Sequence, residues 1–187
     1  MGSTLLEFEN VPWAALYPTS VQSLCDRLVR MRRRAPELSA MIERFQSLLE
    51  KRREAIRSEM REYRIGPLVA QLLRDSGVAV RPGELPHLVD AYYAPIRRQV
   101  SAYPDADATL SLLRAAGYRI GLLSNTCFRA RDHREELSRF GLLRYFDTAY
   151  FTSSGTYRKP HPAPFRHVAQ KLGVAVKRCV YVGDRQK

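Results

Sequence analysis

Between residues 14 and 99, apolar side chains recur every three or four positions among long charged stretches, and no segment alternates residue by residue as a half-buried strand would. Leu24, Leu28 and Met31 fall on one face of a helix. Pro36 is placed to open a longer one, since a first-turn proline gives up no hydrogen bond. Along that helix Met41, Phe45, Leu48, Leu49, Ile56 and Met60 make an apolar stripe opposite Arg52, Arg53, Arg57 and Arg61. Gly66-Pro67 is expected to break it, and Leu68–Arg74 to form a short helix stopped by Gly77. A last helix is expected over residues 84–98, with Pro95 bending or ending it.

The pattern changes near residue 100. Compact apolar runs at 118–123, 146–151 and 179–182 read as buried strands. Between and around them lie helical stretches at 106–116, 129–140 and 164–172, closed by Gly117, Gly141 and Gly173. Helices alternating with short buried strands predict an α/β fold, a Rossmann-like parallel sheet covered by helices. Residues 1–13 and 100–187 are assigned to this core, and residues 14–99 to an inserted helical block. Functional groups in such sheets gather at the carboxyl ends of the strands. That rule points to Ser124, to the loop after Phe151 and to Asp184.

Composition narrows the class. The chain has 187 residues, 45% hydrophobic and 27% charged, which is enough apolar content to bury a core and excludes disorder as the whole answer. No run approaches the roughly 18–20 apolar residues that span a bilayer. The opening MGSTLLEFEN has no basic patch before an apolar stretch and is not expected to be a signal peptide. Cys25, Cys127 and Cys179 are odd in number and far apart, so neither a disulfide framework nor a zinc site is expected, and a reducing cytoplasm is the expected setting. The formal charge is +12, with Arg supplying 26 of the 31 basic residues. Such a balance suits a polyanion partner, but the excess is spread along the chain instead of forming a tail, and nucleic acid is not the expected partner.

Three features stand in order at the strand ends: Leu122-Leu123-Ser124-Asn125-Thr126, Arg158-Lys159-Pro160-His161-Pro162 and Val180-Tyr181-Val182-Gly183-Asp184. A hydroxyl and backbone N–H groups can donate to anionic oxygens, and a lysine adds a point charge. An aspartate can hold a hard divalent cation. Together these residue types describe a phosphate or oxyanion site. Taken singly, Ser124 reads as a turn serine, Lys159 as solvated surface and Asp184 as a helix cap. His161 reads as a loop residue, and His87, His133 and His167 have no metal-ligand spacing.

The same three segments, in the same order, resemble motifs II, III and IV of the haloacid dehalogenase superfamily of hydrolases, and residues 14–99 stand where many members carry a helical cap. The resemblance extends to motif I, an Asp-x-Asp-Gly-Thr signature. Gly2-Ser3-Thr4-Leu5 is similar to its tail, which puts Gly2 where the second Asp would be and the nucleophilic Asp immediately before Met1. A second acidic residue of motif IV would likewise fall beyond Lys187, so the core is expected to be incomplete at both ends.

This likeness implies a catalytic pair of Ser124 and Lys159, and substrate contacts from Thr4, Ser124, Asn125 and Lys159. It also implies Mg²⁺ held by the Gly2 carbonyl and Asp184. The implied activity is a phosphatase acting on a small phosphorylated metabolite through an aspartyl-phosphate. Two alternatives stay open: a non-catalytic scaffold that binds an anionic ligand or nucleic acid, and a metal-independent dehalogenase.

Overall fold

A computed structural model describes residues 1–8 and 12–184 of the chain. They divide into a helical unit, residues 12–58 and 64–99, and an α/β unit comprising Met1–Phe8, Glu59–Tyr63 and the chain from Val100 onward. The short Glu59–Tyr63 piece lies inside the 14–99 block, yet it groups with the α/β unit.

The helical unit holds α1 (Trp13–Arg30), α2 (Leu38–Glu59), α3 (Ile65–Asp75) and α4 (Glu84–Gln99). On α1 the buried residues Leu16, Ser20, Val21, Leu24, Cys25 and Leu28 keep helical spacing and make a single packed face. Phe45 of α2 lies with its ring 5.1 Å from that of Tyr92 on α4. The Glu37 carboxylate accepts from the Ser39 hydroxyl at 2.5 Å and from the backbone N–H groups of Ser39 and Ala40 at 2.9 and 2.8 Å, which caps α2; the hydroxyl bond first, and then the two N–H bonds, lower the Glu37 pKa.

Three helix boundaries differ from the sequence pattern. Pro36 does not sit in the first turn of α2 but precedes its cap, because the Glu37 side chain takes up the first free N–H groups and starts the helix at Leu38. The α2 helix ends at Glu59, followed by Met60 at φ 51°, while Gly66 and Pro67 fall in the first turn of α3. Gly-Pro here starts a helix instead of stopping one, because a first-turn proline lacks only an N–H that had no partner. Pro95 does not end α4 either. It is buried beside Tyr92, Tyr93 and Ile96, and this packing carries the helix past the lost hydrogen bond.

In the α/β unit, β1 (Leu6–Glu7) pairs antiparallel with β2 (Ser101–Ala102). After α5 (Ala106–Ala115) comes β3 (Gly121–Ser124), then α6 (Ala130–Arg139) and β4 (Thr148–Phe151). The β3 and β4 strands are parallel, Gly121 opposite Thr148 and Ser124 opposite Phe151, with α6 supplying the crossover that a parallel pair requires. Asp147 sets this register: its carboxylate accepts from Ile120 N–H at 2.7 Å, and its own N–H donates to the Ile120 carbonyl at 2.9 Å. The chain then enters α7 (Pro162–Lys171).

Alternation along β3 sends neighbours to opposite faces. Leu122 joins a core with Leu6, Val100, Ala106, Leu110, Leu137, Leu142 and Phe151. Leu123 packs with Val168 and Leu172. Positive φ at Gly117 (81°) and Gly173 (66°) ends α5 and α7 in the left-handed turn that favours glycine.

The third apolar run is not a strand. Residues 179–182 are irregular, and Val180 and Val182 are 90% and 76% exposed. A strand needs a backbone partner and a covering layer, and the parallel sheet among the described residues stops at two strands. Among these residues no helix is long and apolar enough to cross a membrane.

Candidate active site

Ser124 is the last residue of β3 and is buried. The strand places its hydroxyl at the carboxyl end of the parallel pair, where Ser124 Oγ lies 3.5 Å from the Asn125 carbonyl. Asn125 begins the loop that follows. Its Oδ1 accepts from Lys159 N–H at 2.8 Å, and its Nδ2 donates to the Lys159 carbonyl at 3.0 Å. Both ends of one side-chain amide thus close on one residue of the following motif, 34 positions away. The Lys159-Pro160 peptide that follows is cis.

The clamp aims the Lys159 side chain back at the sheet. Its Nζ donates to the Leu123 carbonyl at 3.1 Å and to the Tyr181 hydroxyl at 2.7 Å, and lies 5.0 Å from the centre of the Tyr181 ring. Tyr181 is fixed in turn by an edge contact with Phe165 of α7. The amino group of Met1 is buried in the same neighbourhood, and its pKa is pushed down to about 5. Burial is the main cause, the positive charge of Lys159 adds to it, and Asp184 acts in the opposite sense. Met1, Lys159 and Asp184 therefore share one electrostatic environment.

Of the residues singled out from sequence, Ser124, Asn125 and Lys159 are brought together through direct contacts or adjacency, and Asp184 joins them through its charge. Gly2 and Thr4 lie in the tight turn from Met1 to Leu6, where Leu5 and Leu6 N–H both donate to the Met1 carbonyl. Ser3 in that turn has φ 55°. His161 serves as the helix cap of α7, its Nδ1 accepting from Ala163 N–H at 3.1 Å, and its ring stacks on Tyr157 at 3.8 Å.

Several buried polar residues had no place in the sequence reading. The Glu59–Tyr63 segment is bridged to the irregular segment leading to Lys159: Glu62 N–H donates to the Thr156 carbonyl and Arg158 N–H to the Met60 carbonyl, both at 2.9 Å. The buried Glu62 carboxylate receives Thr152 Oγ1 at 2.5 Å and the Arg158 guanidinium at 3.3 Å. On α6, His133 and Glu136 are buried and bonded to each other at 2.8 Å. The visible signal for that pair is their i,i+3 spacing directly after the Ser-Asn-Thr strand end. Cys127, one residue past Thr126, has its thiol pKa pushed up to about 12 by burial, opposed by a hydrogen bond from Tyr63 and the Arg158 charge and reinforced by Glu62.

Chemically the cluster can receive an anion. It offers a hydroxyl at a strand end and an ammonium held against the same strand. The donors available for a metal are the Asp184 carboxylate and the Gly2 carbonyl, both oxygens of the type Mg²⁺ prefers. No group of three or more His, Cys, Asp or Glu forms a metal cage among the described residues. Magnesium does not require such a cage, because it keeps several waters and takes substrate oxygens as ligands.

A family model for haloacid dehalogenase-like hydrolases matches residues 37–187. Over 109 residues, 58% of the chain, the sequence is 42% identical to a phosphoglycolate phosphatase of Cereibacter sphaeroides. Over 114 residues, 61% of the chain, it is 32% identical to a glyceraldehyde 3-phosphate phosphatase of Methanopyrus kandleri. The chain spans about half the length of these curated relatives, 48% in both cases. The fold is similar to the crystal structure of a HAD phosphatase from Thermococcus onnurineus, with TM-score 0.56 and 23% identity, over 93% of this chain and 69% of that one.

Proposed function

The chain belongs to the haloacid dehalogenase-like hydrolases, and on that footing we propose that it carries the phosphate-binding part of a phosphatase for a small phosphorylated metabolite. The observation that supports this reading most is the two-point closure of Asn125 on Lys159, which holds an ammonium against the strand end that carries Ser124. The activities of the two relatives favour phosphate esters of two- and three-carbon compounds.

In this reading Ser124 donates a hydrogen bond to an oxygen of the transferring phosphoryl group. Lys159 offsets the negative charge shared by that group and the attacking carboxylate, a stabilisation that needs no rearrangement because Asn125 has already fixed the lysine backbone. Asn125 acts through this bracing, its amide being engaged at both ends. Thr4 contributes a hydroxyl from the Met1–Leu6 turn. Asp184 and the Gly2 carbonyl are the residues that would hold Mg²⁺, which when bound neutralises charge on the phosphoryl oxygens. The attacking carboxylate would be that of an aspartate at the position before Met1, which the test below supplies. Gly2 brings no carboxyl to the usual acid–base position, and such assistance is worth about 10²–10⁴-fold, so turnover is slow. Residues 14–99 act as the cap that selects the substrate.

The test uses the chain with an aspartate placed directly before Met1, supplied with Mg²⁺ and with 2-phosphoglycolate, glyceraldehyde 3-phosphate and other small phosphomonoesters. Slow, metal-dependent release of inorganic phosphate is expected. No release from any ester would overturn the reading, as would halide release from a 2-haloacid that persists with a chelator present.

A further inference from the structure

Two hydrogen-bond chains converge on Thr126, two residues beyond Ser124, and each ends on a buried carboxylate. In the first, Thr126 N–H donates to Thr152 Oγ1 at 3.0 Å, and the Thr152 hydroxyl donates to Glu62 at 2.5 Å. In the second, Thr126 Oγ1 lies 2.7 Å from His133 Nε2, and His133 Nδ1 lies 2.8 Å from Glu136. Thr126 Oγ1 also accepts from Phe128 N–H at 3.1 Å. Main chain and side chain of one residue are thus held from opposite sides.

The direction of the second chain follows from its ends. A carboxylate oxygen accepts, which favours the His133 Nδ1 proton toward Glu136. In that Nδ1–H tautomer Nε2 accepts the Thr126 hydroxyl hydrogen, and the Thr126 oxygen takes Phe128 N–H. The His133 ring cannot turn out of this arrangement, being stacked on Phe151 at 5.3 Å and met edge-on by Phe8 and Phe128.

We infer that Thr126 is a positioning residue that fixes the Ser124–Asn125 strand end, and through Asn125 the Lys159 loop, by means of these two carboxylate-anchored chains. Its effect on anion binding rests on the phosphate-site reading above. Its effect on the loop does not.

The experiment compares the chain with its Thr126→Val and Thr126→Ser variants. Valine keeps the shape and the N–H but removes the hydroxyl, and serine restores the hydroxyl. Three readouts are taken: ring ¹⁵N shifts of His133, amide hydrogen exchange, and inorganic phosphate binding by calorimetry. The parent His133 is expected as the Nδ1–H tautomer with Nε2 unprotonated. Thr126→Val should speed exchange at Asn125, Phe128 and Lys159 about tenfold, the size of one lost hydrogen bond, while β4 amides stay unchanged. It should weaken phosphate binding about as much, and Thr126→Ser should return both to within about threefold of the parent. An Nε2–H tautomer, or unchanged exchange at Lys159 in Thr126→Val, overturns the inference. If the parent chain binds no phosphate, the phosphate-site reading fails, and the exchange and tautomer results still decide the role of Thr126.

Discussion

The carboxamide of Asn125 is hydrogen-bonded to both main-chain polar groups of Lys159, N–H to Oδ1 at 2.8 Å and Nδ2 to O at 3.0 Å. One side chain does for this turn what a partner strand would do for an extended segment. Asn125→Asp keeps the acceptor and loses the donor, at an expected cost of about 1 kcal/mol. Asn125→Leu leaves both partly buried main-chain groups without partners and should cost about 1–3 kcal/mol. Urea midpoints of the two variants against the parent measure the difference, and phosphate affinity should fall in the same order.

Lys159 and Met1 are coupled through charge. With a free amino group at Met1, the folded pKa of about 5 lies below the unfolded value of roughly 8, so protons bind more readily to the unfolded chain. The resulting stabilisation is fully present above about pH 8 and is lost as pH falls toward 5. Urea midpoints from pH 8.5 to 4.5 should show this slope, and acetylation of the amino group should remove it. Lys159→Met should raise the Met1 pKa and narrow the window from its lower edge, as amino-group titration by NMR can follow.

The three thiols should separate by reactivity. Cys179 is exposed, whereas Cys25 is buried and has its pKa raised by burial and by Asp26. Cys127 is pushed further, to about 12. Thiolate is the reacting species, so iodoacetamide at pH 8 should label Cys179 first and leave Cys127 last. Peptide mass mapping over time checks the order, and labelling in urea should make the three equivalent.

Gly121→Ala tests how closely α7 approaches β3. An added Cβ would lie 2.5 Å from Val168 Cγ1 and 3.0 Å from Leu172 Cδ1. Valine has little rotamer freedom on a helix, so the helix itself must shift. A loss of about 1–3 kcal/mol is expected from urea titration. Gly121→Ala combined with Val168→Ala should recover part of it.

Much of this was readable along the chain. Glycine stops and apolar spacing located α5, α6 and α7, and the motif order pointed to Ser124 at the end of β3 and to the Lys159 loop that Asn125 closes on. Tertiary partners were not readable. The Val180-Tyr181-Val182 run has the composition of a buried strand, but burial depends on a neighbour that composition does not encode. The α6 sequence ARDHREELSR looks like a solvated face, yet Asp132, His133 and Glu136 are buried because each finds an ionic or hydrogen-bonding partner there. Glu62 was hidden for a similar reason. Only the return of Glu59–Tyr63 against residues 156–158 gives its carboxylate the Thr152 and Arg158 partners that make it an anchor.

The glycine at the start of β3 has a consequence for how the molecule comes apart. A two-stranded parallel ladder has little stability of its own, and β3 is held on its other face by Val168 and Leu172, seated where a side chain at 121 would otherwise stand. Strand and helix therefore lack independent lifetimes: any fluctuation that lifts α7 also strips the cover from Leu123 and frees the carbonyl that holds the Lys159 ammonium. Breathing of α7 and release of the Lys159 ammonium are then one event, and amides of β3 and α7 should exchange with a common opening free energy.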